Sequence, residues 1–273
     1  YRMKHTIKID QETVENIRRY GVYTGLAGEE ERYKFLKEDI GFKMDEKADY
    51  VIIASCLQPS MMPNAFRALK NLLDYFDVSY TLLSKEYCCG YMPFVLPALM
   101  MRDEEEIKEA KAISEELLTK NIENARSFGA KSIVIFCAAC DIMYSSFKGS
   151  TDLEVIHYPE LIDRYFKGGR LDLEADFYAG CYRARRKVTP EPADVDSSLS
   201  VLNRIEGLKL NRLSDDLCCA RPNQLDKLIE SMTTTALINI CSGCYNNTKS
   251  ALQEKGSYRT VMLPEVVWAS LRT

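Results

Sequence analysis

The chain has 273 residues and a formal net charge of −4, so it lacks the basic field that nucleic-acid binding requires. It contains no run of about 18 apolar residues, the length that a membrane helix needs. A chain of this size buries about three quarters of its surface on folding, so its ten cysteines are not needed as disulfide staples. No signal peptide opens the sequence, and a reducing, cytoplasmic location is expected.

Residues 1–47 contain no cysteine and are predicted to form an N-terminal helical extension. Asp10 is a candidate N-cap for a helix over residues 11–19, and a second helical pattern covers residues 28–39. Two interpretations of this segment are open. It is either a helical cap on the core or a docking surface for a partner protein.

From residue 48 onward, short β-branched runs alternate with helical patterns, and several of the runs lead to a cysteine. Strands are predicted over residues 48–56, 79–83 and 132–136, with helices over 64–76 and 103–127 between them. This alternation is typical of a parallel sheet with crossover helices. The cysteines would then gather at the carboxyl ends of the strands, where ligands of such sheets bind.

The same order of elements recurs in the second part of the chain. A strand running into a helix is predicted over 153–162, and the second copy is predicted to have strands at 175–181, 209–213 and 236–240 and helices at 199–205 and 224–232. The predicted fold class is α/β, with two pseudo-symmetry-related, Rossmann-like halves built on parallel sheets. The predicted division is an extension over 1–47, a first half over 48–170 and a second half over 171–273.

All ten cysteines fall into two sets of the same pattern, a single cysteine, an adjacent pair and a Cys-x-x-Cys pair. The first thiol set is Cys56, Cys88, Cys89, Cys137 and Cys140; the second thiol set is Cys181, Cys218, Cys219, Cys241 and Cys244. Thiolates bind soft metals, and Cys-x-x-Cys alone suits zinc and iron-sulfur clusters equally. Structural zinc and conventional clusters take four cysteines, so a fifth thiol indicates an unusual cluster or a spare nucleophile.

The arrangement of Cys56, Cys88-Cys89-Gly90 and Cys137-x-x-Cys140, followed by a partial second copy, resembles the cysteine-rich CCG domain pair of the heterodisulfide reductase family. The resemblance covers about residues 48–273. It implies that each thiol set holds a non-cubane 4Fe-4S cluster and that the chain reduces or forms a disulfide of small thiols. It also implies two partners, a ferredoxin-like iron-sulfur subunit and a flavoprotein subunit.

The resemblance extends to a histidine near the strand after the Cys-x-x-Cys pair, here His157, which is a candidate general acid. The alternative interpretation of His157 is a structural, hydrogen-bonded residue. The basic run Arg183, Arg185, Arg186 and Lys187 could receive an anionic substrate, and its alternative is a solvated helix face or a partner contact.

The second copy departs from the family pattern, because Ala220 follows its cysteine pair and Tyr182 follows Cys181 where the family often has histidine. Zinc and a conventional cluster are therefore alternatives for the second thiol set. Two further functions stay open for the whole chain. One is an electron-transfer subunit of a dehydrogenase complex, and the other is a zinc-binding or scaffold protein without catalysis.

Overall fold

Two parallel sheets of identical layout organise the chain. The structure is a computed structural model that describes residues 9–56, 59–180, 186, 188–190, 194–253 and 255–272. Within these residues the strands form two four-stranded, all-parallel sheets, ordered β2-β1-β3-β4 and β6-β5-β7-β8. The strands are β1 (Tyr50–Ile53), β2 (Tyr80–Leu82), β3 (Ser132–Ile135), β4 (Glu154–His157), β5 (Gly169–Tyr178), β6 (Ile205–Arg212), β7 (Ala236–Asn239) and β8 (Arg259–Met262). The predicted α/β class with two related parallel-sheet halves is confirmed, and the exact division at residues 47 and 170 stays a prediction.

Helices precede and connect the strands. They are α1 (Gln11–Tyr20), α2 (Gly25–Tyr33), α3 (Pro63–Tyr75), α4 (Leu96–Met101), α5 (Glu104–Ser127), α6 (Ala138–Tyr144), α7 (Tyr158–Tyr165), α8 (Asp196–Asn203), α9 (Pro222–Glu230), α10 (Ser242–Gln253) and α11 (Leu263–Ser270). Two π-helical segments, Lys34–Ile40 and Tyr91–Val95, continue α2 and precede α4. Among the helices described, none is long and apolar enough to cross a membrane.

The helix boundaries follow the capping signals in the sequence. The side chain of Asp10 accepts hydrogen bonds from the backbone N–H groups of Glu12 and Thr13, and α1 ends at the left-handed Gly21. Helix α5 begins after Asp103, whose carboxylate accepts from the Glu106 N–H at 3.1 Å. Gly129, with φ of +74°, follows its end. Both predicted helices are confirmed within a residue or two.

One predicted boundary in the second half is wrong. The sequence predicts a helix over 199–205, before Gly207, but α8 ends at Asn203 and Ile205 begins β6. Gly207 lies inside this strand, opposite an irregularity in β5 between Arg170 and Leu173. Its φ is +84°, and a Cβ there would lie 2.3 Å from the Asp172 carboxylate, so the glycine serves a β-bulge rather than a helix end.

The two halves share their hydrophobic cores. The strand residues Val51, Ile52 and Ile53 are buried, as expected of parallel strands covered on both faces. On one side of the sheets, α3 of the first half packs against α11 of the second, and α7 packs against α8 in the reciprocal contact. Each of the two apolar clusters contains residues of both sheets, so the halves pack as one body.

Candidate metal centre

The five cysteines of the first thiol set converge at the carboxyl ends of the first sheet. Cys56 follows β1, Cys137 follows β3 and begins α6, Cys140 lies on α6, and Cys88 and Cys89 lie on the loop after β2. The Sγ atoms of Cys89 and Cys140 are 3.4 Å apart. Cys56 interacts with the sulfurs of Cys140, Cys88 and Cys89. The parallel topology therefore brings together thiols that are far apart in the sequence.

The second thiol set forms a matching group in the other sheet. The Sγ atoms of Cys219 and Cys244 are 3.2 Å apart, and Cys241 interacts with Cys244. Cys218 is half-buried beside them. Cys181 lies outside the described residues, but a Cβ on the preceding Gly180 would lie 3.7 Å from the Cys244 sulfur. The backbone that leads to Cys181 thus borders this set.

The two thiol sets meet. Cys137 and Cys241, the first residues of the two Cys-x-x-Cys pairs, approach to 3.9 Å between their Sγ atoms. None of the nine described cysteines is in a disulfide bond, and these separations are well above its roughly 2.05 Å. The sulfurs of both halves therefore form one continuous, largely buried group.

Contacts between the sulfurs lower the pKa of some thiols and raise the pKa of others. Hydrogen bonds with Cys140, Cys56 and Cys88 hold the pKa of the Cys89 thiol well below its usual range. Contacts with Cys137, Cys56 and Cys89 raise the pKa of Cys140. In the second set, the contact with Cys244 lowers the pKa of Cys219. The contacts with Cys140 and Cys241 also hold the pKa of Cys137 well below its usual range. Thiolates, the form that binds metals, are thus favoured at Cys89 and Cys137 in the first set and at Cys219 in the second, and full ligation would release the other protons.

The loop that carries the cysteine pair is fixed by buried hydrogen bonds to α5. The amide of Asn121 accepts from the Tyr87 N–H at 2.8 Å and donates to the Tyr87 carbonyl at 2.7 Å. The hydroxyl of Ser114 donates to the Cys89 carbonyl at 2.6 Å. Asn121 and Ser114 are fully buried. These side chains set the direction in which the two sulfurs project.

A buried ion pair joins this loop to the end of β1. Glu86 accepts hydrogen bonds from the backbone N–H groups of Ala54 at 2.7 Å and Ser55 at 2.9 Å, directly before Cys56. Arg32 of α2 bonds the same carboxylate at 2.8 Å, and the side chains are only 4% and 2% exposed. Glu86 therefore ties Cys56 to Cys88 through the backbone, and Arg32 neutralises its charge.

The N-terminal extension is part of the site. The Cys88 N–H donates to the Gly21 carbonyl at 2.7 Å, and a Cβ on Gly21 would lie 2.4 Å from the Glu86 carbonyl oxygen. Burial raises the pKa of Tyr23, and the charges of Cys56 and Cys88 raise it further, which places this phenol beside the first thiol set. Sequence reasoning missed Gly21, Tyr23 and Arg32, because no motif connects them to the cysteines.

The backbone before the single cysteine is left-handed in both halves. Ser55 has φ of +92° and Gly180 has φ of +107°, although only the second of them is a glycine. A non-glycine residue in this region is strained by about 1–3 kcal/mol, and such strain is held in place by surrounding bonds. The bond from Ser55 to Glu86 supplies that restraint in the first half.

Gly90 is required by the turn after the cysteine pair. Its φ is +70°, and a Cβ there would lie 2.0 Å from the ring of Phe94. Ala220, its counterpart, is absent from the described non-glycine residues with positive φ. The missing glycine of the second copy therefore reflects a different turn, which leads directly into α9.

Replacing Gly90 with alanine is expected to destabilise the protein by about 3 kcal/mol, from the positive φ and the clash with Phe94. Gly129→Ala is the matched control, since its φ is +74° and a Cβ there meets nothing within 4 Å. It should cost only about 1 kcal/mol. Urea unfolding of both variants measures the difference, and equal costs would contradict a packing role for Gly90.

The other predicted site residues are placed as follows. His157 ends β4, is buried, and packs edge-on against the Tyr158 ring, with centroids 4.9 Å apart. In the sheet, His157 of β4 pairs with Ile135 of β3, two residues before Cys137. Of the basic run, Arg183, Arg185 and Lys187 lie outside the described residues.

Two lysines flank the cysteine pair on the outside. The Nζ atoms of Lys85 and Lys120 lie 5.2 Å and 5.3 Å from the centre of the Tyr87 ring.

A cleft of about 140 Å³ between α5 and α6 reaches Ser114 and Met143 near the first thiol set. None of the described cysteines lines this cleft, which reaches the first thiol set only through Ser114, the residue that bonds the Cys89 carbonyl.

Comparison with known proteins identifies the class of domain. Residues 50–144 match the family model CCG, described as a cysteine-rich domain, and this range includes the whole first thiol set. Residues 50–144 are therefore similar to the cysteine-rich domains of the CCG family. This assignment is consistent with an iron-sulfur electron-transfer protein.

Two further comparisons add little. No curated protein matches the chain. Glutamate racemase from Thermus thermophilus, solved in complex with β-chloro-D-alanine, matches with a TM-score of 0.31 and 14% identity, over 83% of this chain and 79% of that one. So remote a likeness carries no argument about function.

The donor set fits an iron-sulfur group by its chemistry. The convergent side chains are thiols, and thiolates are the ligands of such clusters. Among the described residues, no group of three or more His, Cys, Asp or Glu side chains has the arrangement of a metal-ion site. The sulfurs pack directly on one another, with Sγ–Sγ separations of 3.2 Å, 3.4 Å and 3.9 Å.

Proposed function

We propose that this chain is an iron-sulfur redox subunit that reduces or forms a disulfide of small thiols, as in the heterodisulfide reductase family. The observation that carries the proposal is the meeting of the two thiol sets, with Cys137 and Cys241 at 3.9 Å. Two related sites on one chain suit a reaction in which a disulfide takes up two electrons and two protons to give two thiols.

The residues that would hold the two clusters are those of the thiol sets, namely Cys56, Cys88, Cys89, Cys137 and Cys140 in the first half and Cys181, Cys218, Cys219, Cys241 and Cys244 in the second. The clusters would supply one-electron reduction and sulfur-binding iron. Glu86, Asn121 and Ser114 would keep the first ligands in place through the contacts described above.

His157 is proposed as the general acid that protonates the thiolate product. A histidine suits this role because its ordinary pKa lies near operating pH. It ends a strand at the same sheet edge as Cys137. Electrons would come from partner subunits, a ferredoxin-like iron-sulfur subunit and a flavoprotein, because the sequence has no G-x-G-x-x-G motif for a nucleotide cofactor of its own.

The first test is anaerobic purification with iron, zinc and sulfide analysis and EPR spectroscopy. About eight iron atoms per chain are expected, about four for each thiol set. Zinc alone would contradict the proposal. Reduction of small disulfides by the isolated chain with a chemical electron donor then separates catalysis from electron transfer, since an electron-transfer subunit would not turn them over.

A further inference from the structure

Tyr158 differs from the other large buried tyrosines of the chain. The hydroxyl of Tyr178 donates to the Leu217 carbonyl at 2.5 Å, that of Tyr80 donates to Asp74 at 3.1 Å, and that of Tyr144 accepts from Asn121 at 2.9 Å. Tyr158 is equally buried, but its hydroxyl has no hydrogen-bond partner within the described parts of the chain. Buried polar atoms are normally paired, so the unpaired phenol of Tyr158 has a hydrogen bond to give to a group that binds next to it.

The position of Tyr158 indicates where that partner lies. Tyr158 is the first residue of α7, and its ring stacks on Phe136, directly before Cys137, with centroids 4.9 Å apart. Burial raises the pKa of its hydroxyl, and the charges of Cys241, Cys137 and, after them, Glu265 raise it further. The phenol therefore stays protonated within electrostatic reach of the two sulfurs that meet across the halves.

The second half has no equivalent group. Tyr158 and Pro159 correspond to Leu263 and Pro264 at the start of α11, which follows β8 as α7 follows β4. Leu263 is also fully buried. The position that corresponds to Tyr158 thus carries no hydroxyl in the second half, so the packing of this position does not require one.

We propose that the Tyr158 hydroxyl donates a hydrogen bond to a sulfur atom of the group that binds where the two thiol sets meet. The inference rests on the proposed iron-sulfur function. The acceptor is a sulfur anion, either a sulfur of the bound cluster or the sulfur of a thiol substrate. An O–H donor stabilises the more negative state of such an acceptor.

The test uses Tyr158→Phe, which removes the hydroxyl and keeps the ring on Phe136. In the iron-loaded protein, loss of a bond to a cluster sulfur should lower the midpoint potential and change the EPR spectrum without substrate. If the acceptor is a substrate sulfur, the spectrum should differ from wild type only after a small thiol such as 2-mercaptoethanesulfonate is added. Identical potentials and spectra with and without the thiol would overturn the inference.

Thermal melting separates this role from a structural one. Without iron, Tyr158→Phe should melt at the same or a higher temperature than wild type, because it removes an unpaired buried hydroxyl. With iron or with iron and thiol, it should lose stability relative to wild type. Tyr80→Phe is the control, because its hydroxyl already bonds Asp74, and it should lower the melting temperature equally in all forms.

A uniform decrease for Tyr158→Phe, like that of the control, would also overturn the inference. Failure of cluster binding gives a different result, since the wild-type protein would then contain no iron, and that result would overturn both the proposed function and the inference. Iron in the wild type with an unaffected variant would reject the role of Tyr158 alone.

Discussion

Replacing Cys89 with serine is expected to remove about half of the iron bound by the chain. Cys89 contacts Cys140 at 3.4 Å and interacts with Cys56 and Cys88, so its sulfur lies centrally in the first thiol set. Serine keeps the size of the side chain and removes the soft thiolate donor. Iron and sulfide analysis with EPR of the anaerobic variant provides the measurement.

Cys219→Ser is the matched control for this experiment. Cys219 holds the same position in the second set, 3.2 Å from Cys244. If both sets bind clusters, each variant should lose a different component of the EPR spectrum and retain the other. An unchanged iron content in Cys219→Ser would show that the second set holds no cluster, and an unchanged spectrum in Cys89→Ser would reject the ligand assignment of the first.

Replacing Arg32 with methionine is expected to cost about 3–5 kcal/mol of unfolding free energy, because it leaves the Glu86 carboxylate buried without a cation. Methionine retains most of the volume of the side chain. Urea unfolding of the metal-free protein measures the loss. Lys131→Ala is the control, because Lys131 pairs with Asp49 at 2.8 Å on the surface with 76% of its side chain exposed, and its removal should cost less than about 1 kcal/mol.

The cost of Arg32→Met should depend on pH. Burial raises the pKa of Glu86, while Arg32 and the amides of Ala54 and Ser55 lower it. Without Arg32 the pKa of the folded state rises further above that of the unfolded state, so the folded variant binds a proton more readily. The loss should therefore be largest above that folded pKa and shrink as the pH falls. A cost that does not change with pH would contradict a buried charge as its origin.

The thiol sets are predictable from the sequence because their positions depend on topology. Cysteines placed after β-branched runs must meet if the strands are parallel, and Cys56, Cys89 and Cys140 do so. Local signals also locate α1 and α5, since Asp10 and Asp103 cap them as expected. Gly207 is the exception, because a glycine after a helical pattern predicts a helix end as readily as a bulge in a strand.

The residues that position the cysteines could not be predicted from the sequence. Arg32, Glu86 and Asn121 belong to different elements, and each lies in a stretch where a polar residue is normally solvated. Their burial becomes visible only when the extension and α5 pack on the cysteine loop. The proposed role of Tyr158 could not be predicted either, because no sequence pattern shows whether a tyrosine hydroxyl will have a hydrogen-bond partner.

The helix contacts between the halves are reciprocal, α3 with α11 and α7 with α8. In each pair, the helix after the first strand of one half meets the helix after the last strand of the other. A two-fold interface between identical subunits has this property, because each contact between two surface patches occurs twice, once from each subunit. The chain is therefore built like a homodimer whose subunits are covalently joined. Because the two halves are separate parts of one chain, each can carry its own residues. The second half has Ala220 where the first has Gly90, and Leu263 where the first has Tyr158. The two sites can therefore differ, whereas the two sites of a symmetric homodimer are identical.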